Sequence, residues 1–399
     1  MIQGSAFLRR LRVPVYALVD LTLLVPLLAS ALLSRLAVRP YDVGLGPEPL
    51  VNHVHHKRAL EQRRYRVRTF VNHTYYITEN FDWKLRLPPG LQYLTHALLF
   101  VAACWRFRCL YFSFRGGPLG ATVLLWRLEP FFYDLAGVKT VVMPYGSDVQ
   151  NLLHTPNLLL RDAIAHDYPF HRHGRRRTAA RLDLWTRRAD HVIAGCDWVD
   201  YLYHWDTLLL AHFSIDTDEW KPAGPPVAAA AGRPLRVLHA PNHRAIKGTA
   251  HFVRAVEELR QEGVAIELVI AERVPNERIR DLMAQCDVVA DQLVIGWYAL
   301  FALEAMALEK PVLCHIRADL RRFYIDAGLL GEDELPVVDC SVTSVKDALR
   351  RLALAPDSLP ALGRRGRAFV LRHHSLEAIG AAFDRINRSL GLTPSGDRA

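Results

Sequence analysis

The sequence has no pair of cysteines at CxxC spacing. Its six cysteines, Cys104, Cys109, Cys196, Cys286, Cys314 and Cys340, stand singly in apolar or mixed surroundings. Neither a structural zinc site nor a disulfide framework is expected, and a reducing compartment suits the chain. Histidines His53, His55 and His56 fall close together, but no carboxylate or thiol lies at ligand spacing, so no metal is expected. No nucleic-acid-binding motif accompanies the basic residues, and no nucleic-acid partner is expected. No two carboxylates stand at glycosidase-like positions, which argues against hydrolysis by acid and nucleophile. What is present is a foldable composition, 51% apolar and 23% charged, in 399 residues, a length that suits two domains.

Acidic residues are thin in the first half. Residues 1–230 hold 27 Lys and Arg against 19 Asp and Glu, whereas residues 231–399 hold 23 against 22. An acidic partner therefore meets the N-terminal half, and an anionic membrane or a pyrophosphate-linked lipid fits better than nucleic acid. The reason is one long apolar run, Val13 to Ser34, whose single charge is Asp20 and which contains Pro14 and Pro26. It is long enough to span a bilayer, although Asp20 and Pro26 oppose a plain lipid-exposed span. An embedded or interfacial anchor, a true span, and a helix buried against the protein all stay open. No small-residue cleavage site follows, so a signal peptide is not the reading. Arg9, Arg10 and Arg12 before the run and Arg35 and Arg39 after it give a slight orientation bias.

Behind this segment, Tyr41 to Pro49 reads as a strand and a loop containing Gly44 and Gly46. Glycines there either let the backbone approach a ligand or make a tight turn. Lys57, Arg58, Arg63, Arg64, Arg66 and Arg68 form a solvated helix face or a surface docked on anionic lipid. Leu91 to Phe107 reads as a core or membrane-facing helix, followed by a strand from Cys109 to Phe114. A strand ending at Val142 runs into a polar loop with Tyr145 and Asp148. Asp148 binds a substrate hydroxyl or closes an Asx turn. His166 to Arg188, rich in His and Arg, either grips a phosphate-bearing acceptor or is a solvated helix start. Lys221 to Pro234 reads as a linker, and the tail from Thr393 as loose.

Between Val237 and Arg317 short apolar strands alternate with helical patterns, the signature of a parallel sheet covered on both faces. Ligands of such sheets sit beyond the carboxyl ends of the strands. Arg244 and Lys247 lie there in a strand-to-helix loop with Gly248 and Thr249, where cations and free N–H groups hold a phosphate or remain solvated. Glu304 stands near the start of an otherwise apolar helix, facing a polar ligand or capping the helix. Asp287 precedes the third strand and Asp291 follows it.

The order Arg244…Lys247-Gly248-Thr249, then Glu304-Ala305-Met306-Ala307…Lys310-Pro311-Val312, resembles the donor domain of the family-4 glycosyltransferases of GT-B fold. The resemblance implies an α/β protein with two Rossmann-like domains whose parallel sheets face each other across a cleft. Residues 1–39 form the apolar membrane-associating segment, 40–221 the acceptor-side domain, 222–234 the linker, and 235–399 the donor domain with a final helix crossing back. It assigns Arg244 and Lys247 to the donor diphosphate and Glu304 to the ribose, with Gly44 and Gly46 facing the donor and acceptor. The sequence departs from the family where a first glutamate falls on Gly296, where Asn242 replaces an Arg five residues before the Lys, and where Tyr145 replaces the His of a His-Gly-x-Asp loop. Asp148 is retained there, His154 is a further candidate, and Asp291 is a candidate for the missing acid. The implied activity is retaining, metal-independent transfer from a nucleotide sugar, with no resident cofactor, to a hydroxyl of a lipid-linked or surface-polysaccharide precursor. Its place would be the cytoplasmic face of the inner membrane. The competing expectation is a non-catalytic GT-B subunit that anchors or activates a partner transferase.

Overall fold

The structure, a computed structural model, describes residues 6–74, 78–168, 171–222 and 233–397. Most of the expected linker, residues 223–232, therefore lies outside the described residues. The first half contains α1 (Ala6–Ser34), β1 (Tyr41–Leu45), α2 (Val51–Gln62), β2 (Val67–Val71), β3 (Trp83–Lys84), α3 (Leu94–Arg106), β4 (Phe107–Phe112) and α4 (Glu129–Ala136). It continues through β5 (Lys139–Val142), α5 (Leu158–Asp167), α6 (His171–Arg188), β6 (His191–Ala194) and β7 (Thr207–Leu208). These strands form one parallel sheet in the order β3-β2-β1-β4-β5-β6-β7. The second half contains β8 (Leu235–His239), α7 (Arg244–Lys247), α8 (Thr249–Gln261), β9 (Ile266–Ile270), α9 (Asn276–Ala284), β10 (Val288–Gln292) and α10 (Leu300–Ala307). After these come β11 (Val312–Cys314), α11 (Ala318–Asp326), β12 (Val337–Asp339), α12 (Val345–Leu354), α13 (Leu359–His373) and α14 (Leu376–Ser389). Its sheet, also parallel, runs β12-β11-β10-β8-β9.

Strand residues such as Val43, Leu110, Val141, Val237, Val289 and Leu313 are fully buried, because helices cover both faces of each sheet. All six cysteines are buried and unpaired, and burial pushes the thiols of Cys109 and Cys314 upward. Three boundaries differ from the sequence reading. The helix after Pro89 begins at Leu94, the following strand already starts at Phe107, which pairs with Tyr41, and Asp291 lies inside β10. The tail is also pinned, since the Ser395 N–H and hydroxyl both donate to the buried Asp42. Helix α14 packs on α2 of the first half, where Tyr65 and Tyr111 donate to Asp384 (2.7 Å) and Asn387 (2.8 Å).

Helix α1 is held on the protein along one stripe. Asp20, Leu27, Ala31 and Ser34 are buried at helical spacing, while Val15, Leu18, Leu21, Val25, Leu32 and Leu33 of the other face are exposed. Asp20 is the charged residue that this stripe needs: it accepts from Tyr93 Oη (2.8 Å) and from the Leu124 N–H (2.6 Å). Arg39 does not flank the helix as a solvated charge. Its guanidinium turns inward and donates to carbonyls of Ser34, Cys104, Ala136 and Gly137, clamping the C-terminal ends of α1, α3 and α4 together. Arg39→Leu should lower stability by about 3 kcal/mol, because it leaves buried carbonyls without a charged donor. Calorimetric melting should show this as a lower first transition.

Candidate active site

A parallel sheet collects its polar groups at the carboxyl edge, and the crevice opens where neighbouring strands lead off in opposite directions. In the second sheet that point lies between β8 and β10. Lys247, at the end of α7 just beyond β8, is buried and places Nζ 2.6 Å from Oδ1 of Asp291 in β10. Asp291 Oδ2 accepts the N–H of Ala299, the N-cap residue of α10, so the carboxylate joins strand, loop and helix start. Glu304, one turn further into α10, is also buried and accepts from Asn276 Nδ2 at 2.7 Å. Burial raises its carboxyl to about 8, and the neighbouring Asp291 adds to the effect. A buried lysine, two buried acids and an amide thus meet at the switch point, a pattern typical of functional sites. The sequence reading included Lys247, Glu304 and, as a candidate for the missing acid, Asp291, and missed Asn276. Asn276 is the first residue of α9, and nothing in the local sequence ties it to Glu304.

The other expected donor residues do not converge on this group. Arg244 is exposed, and its Nη1 donates to both carboxylate oxygens of Glu272, at 3.0 and 3.1 Å. Asn242 is exposed. Gly248, at φ +74°, links α7 to α8, and a Cβ there would meet Leu293 at 3.1 Å. Gly296, at φ +95°, faces the Arg317 side chain, which would lie 2.6 Å from an added Cβ. Arg317 in turn pairs with Asp200 of the first half. A side chain at Gly296 would displace Arg317, which ties the two halves together, and would strain the backbone at positive φ.

In the first half, Gly44 packs inside β1 against Phe107 and Leu110, where a Cβ would come within 2.8 Å of both, and Gly46 abuts the Phe70 carbonyl. Their missing side chains make room for protein rather than for a ligand. Asp148 is buried and accepts from Tyr145 N (3.0 Å), Gly146 N (2.9 Å) and Phe114 N (3.0 Å). Burial raises its carboxyl to about 6 even so. Its turn-closing role is what the geometry presents, joining the loops after β4 and β5. Tyr145 lies beneath the Arg115 guanidinium, 5.9 Å from its ring centre. His154 is exposed, and its ring forms no hydrogen bond among the described residues.

The first sheet has its own switch point between β1 and β4. A cavity of about 280 Å³ opens there, lined by Glu48, His73, Arg115, Asp148, Arg177 and Arg181 among others. Arg115 follows β4, while Arg177 and Arg181 reach in from α6. The sequence reading flagged the basic run, His166 to Arg188, that contains Arg177 and Arg181, but not Arg115. The signal available was a strand followed by Arg115-Gly116-Gly117. The halves meet beside these sites. Asn157 Nδ2 donates to Val294 O at 2.7 Å, the Ile246 N–H donates to Asp167 at 2.9 Å, and Trp297 Nε1 donates to Leu210 O at 3.1 Å.

No family model matches the chain, and no curated protein matches it in sequence. Solved structures do match in shape. Two parallel α/β domains with their crevices at the carboxyl edges place the chain in the GT-B fold. Sucrose-phosphate synthase from Thermosynechococcus elongatus superposes with a TM-score of 0.57 at 14% identity, covering 88% of this chain and 99% of that one. Anabaena HepE, solved in complex with UDP, gives 0.55 at 14% identity, covering 88% and 100%. WaaG, a glycosyltransferase involved in lipopolysaccharide biosynthesis, gives 0.50 at 12% identity, covering 86% and 99%.

The raised Glu304 carboxyl has a signed consequence. Its pKa moves from the ordinary 4.5 to about 8, so between those values the folded chain holds more protons than the unfolded one. Its contribution is complete at low pH and is lost as pH rises through this window. Glu304→Gln should therefore gain stability relative to wild type as pH is raised from about 5 to about 8, read as the difference between paired thermal melts.

Proposed function

We propose that the chain is a membrane-associated glycosyltransferase that moves a sugar from a nucleotide-sugar donor to a hydroxyl of a lipid-linked or surface-polysaccharide precursor. The observation that carries this reading is the buried group of Lys247, Asp291, Glu304 and Asn276 at the switch point of a GT-B donor domain. Support comes from the glycosyltransferase named among the structural neighbours and from the UDP held by another. In this reading Glu304 takes the ribose hydroxyls. Lys247, released in part from Asp291, offsets negative charge on the departing diphosphate. Arg244, at the rim, attracts the donor. Transfer is retaining and needs no metal, as the family resemblance implies, and no resident cofactor takes part.

The membrane part rests on α1. Its exposed face carries Val15, Leu18, Leu21 and Val25, and Leu98, Trp105 and Phe131 of α3 and α4 are exposed as well. A helix fixed on one side and apolar on the other lies in the interface, here at the cytoplasmic face of the inner membrane. A non-catalytic GT-B subunit is the second reading. It is favoured by the Arg317 side chain against Gly296 and by the pairing of Lys247 and Arg244 with acids.

Calorimetric titration of the detergent-solubilised protein with a panel of nucleoside diphosphates and nucleotide sugars separates the two. Catalysis requires one nucleotide to bind, with affinity falling about tenfold or more in Glu304→Ala and in a folded Lys247→Met variant. Absence of binding across the panel leaves the subunit reading. The triple variant Leu18→Glu, Leu21→Glu, Val25→Glu should co-sediment with anionic vesicles at least about tenfold less than wild type, since three apolar side chains leave the interface.

A further inference from the structure

Three arginines, Arg115, Arg177 and Arg181, line the cavity at the first switch point; the acids near them are Glu48 and Asp148 on the wall and the buried Glu129 behind Gly116 and Gly117. Of the three arginines that line it, Arg115 pairs with Glu48 at 3.3 Å. Arg177 and Arg181 pair with no carboxylate among the described residues; they donate to the Gly120 and Thr122 carbonyls and stack over Trp126, 5.5 and 5.6 Å from its ring centre. Nε of Arg181 is buried and has no hydrogen-bond partner among the described residues. Burial, with Arg177 and Arg115 nearby, depresses the Arg181 guanidinium to about 10. Asp148, the other acid on the wall, already accepts three backbone N–H groups. Partly buried cations that crowd one another are costly until an anion joins them, and a guanidinium fork matches a phosphoryl group.

The same loop connects this cavity to the apolar helix. Gly120 and Thr122 receive the arginines, Val123 N–H donates to Tyr93 Oη (2.8 Å), and Leu124 N–H donates to Asp20 of α1 (2.6 Å). The exposed apolar face of α1 therefore begins a few residues from the cation pocket, and His96 of α3 lies on its wall. A cavity of this size admits a headgroup and not a long chain.

We infer that Arg115, Arg177 and Arg181 form a subsite for the phosphate or diphosphate of a lipid-borne acceptor, whose apolar chain leaves the cavity along α1. This rests on the proposed transfer to a lipid-linked precursor and names the group by which that acceptor is recognised. The subsite lies in the first domain, away from Lys247 and Glu304, so the two can be tested apart.

The test titrates the full-length protein in detergent with farnesyl diphosphate, inorganic pyrophosphate and the nucleoside diphosphate selected by the panel. Wild type should bind farnesyl diphosphate at least about tenfold more tightly than pyrophosphate. Arg177→Gln with Arg181→Gln should weaken farnesyl diphosphate by more than about tenfold and leave nucleotide affinity unchanged. Should the double variant melt early, Arg181→Lys, which keeps the charge but removes the fork, should weaken farnesyl diphosphate while melting like wild type. Equal affinity for pyrophosphate and farnesyl diphosphate would overturn the lipid assignment. Unchanged farnesyl diphosphate binding in a folded variant would overturn the subsite, and so would a parallel loss of nucleotide binding. If wild type binds farnesyl diphosphate but no nucleotide, the donor reading fails and the subsite stands.

Discussion

The structure depends on one constraint: a parallel sheet buried on both faces has nowhere to put polar chemistry except its carboxyl edge. Both sheets obey it. In the second, Lys247 and Asp291 meet as an ion pair with almost no solvent, beside a Glu304 held largely protonated at neutral pH by burial. Such a pair gains little over apolar packing and is strongly destabilising to break. In the first sheet, Arg115, Glu48 and Asp148 gather at the equivalent edge, with Arg177 and Arg181 supplied from α6.

The two halves are joined by more than a linker. Helix α14 returns to pack on α2 through Tyr65–Asp384 and Tyr111–Asn387, and Arg317 reaches Asp200 across the junction. Tyr324 Oη donates to Cys196 O at 2.7 Å, and the buried cluster containing Trp198, Leu210, Trp297 and Tyr324 runs continuously through both halves. These directional bonds fix how the two carboxyl edges face each other. Gly296 belongs to this framework: with no side chain and a positive φ, it gives Arg317 its path.

Helix α1 shows how one charge changes the meaning of an apolar run. Asp20 would be expensive within lipid, but here it closes a hydrogen-bonded bridge between α1, Tyr93 and the loop at Leu124. Arg39 then ties the ends of three helices. The buried stripe makes α1 part of the first domain, and the exposed stripe leaves a coherent apolar surface beside a cationic cavity.

By itself the sequence determined the alternation of apolar strands and helices between Val237 and Arg317, and hence a parallel sheet covered on both faces; a second such domain was implied only by the family resemblance. It also marked Val13–Ser34 as an unusual apolar segment and singled out Lys247 and Glu304 as candidates for a donor site. These features are legible because periodicity and short motifs are local. Only the tertiary structure decided which partners those residues meet. Asn276 reaches Glu304 from another helix, Glu272 takes Arg244, Arg317 fills the space beside Gly296, and Asp20 finds Tyr93 far along the chain. Gly44 and Gly46 looked like ligand-facing glycines but answer to Phe107, Leu110 and Phe70, which the sheet brings alongside. The arginine cavity is the largest such case, because Glu48, Arg115 and Arg181 come from separate segments and only strand order places them together. A sequence records the charge each residue carries, whereas burial and the arrival of distant partners set whether that charge is neutralised, stored or left open to a ligand.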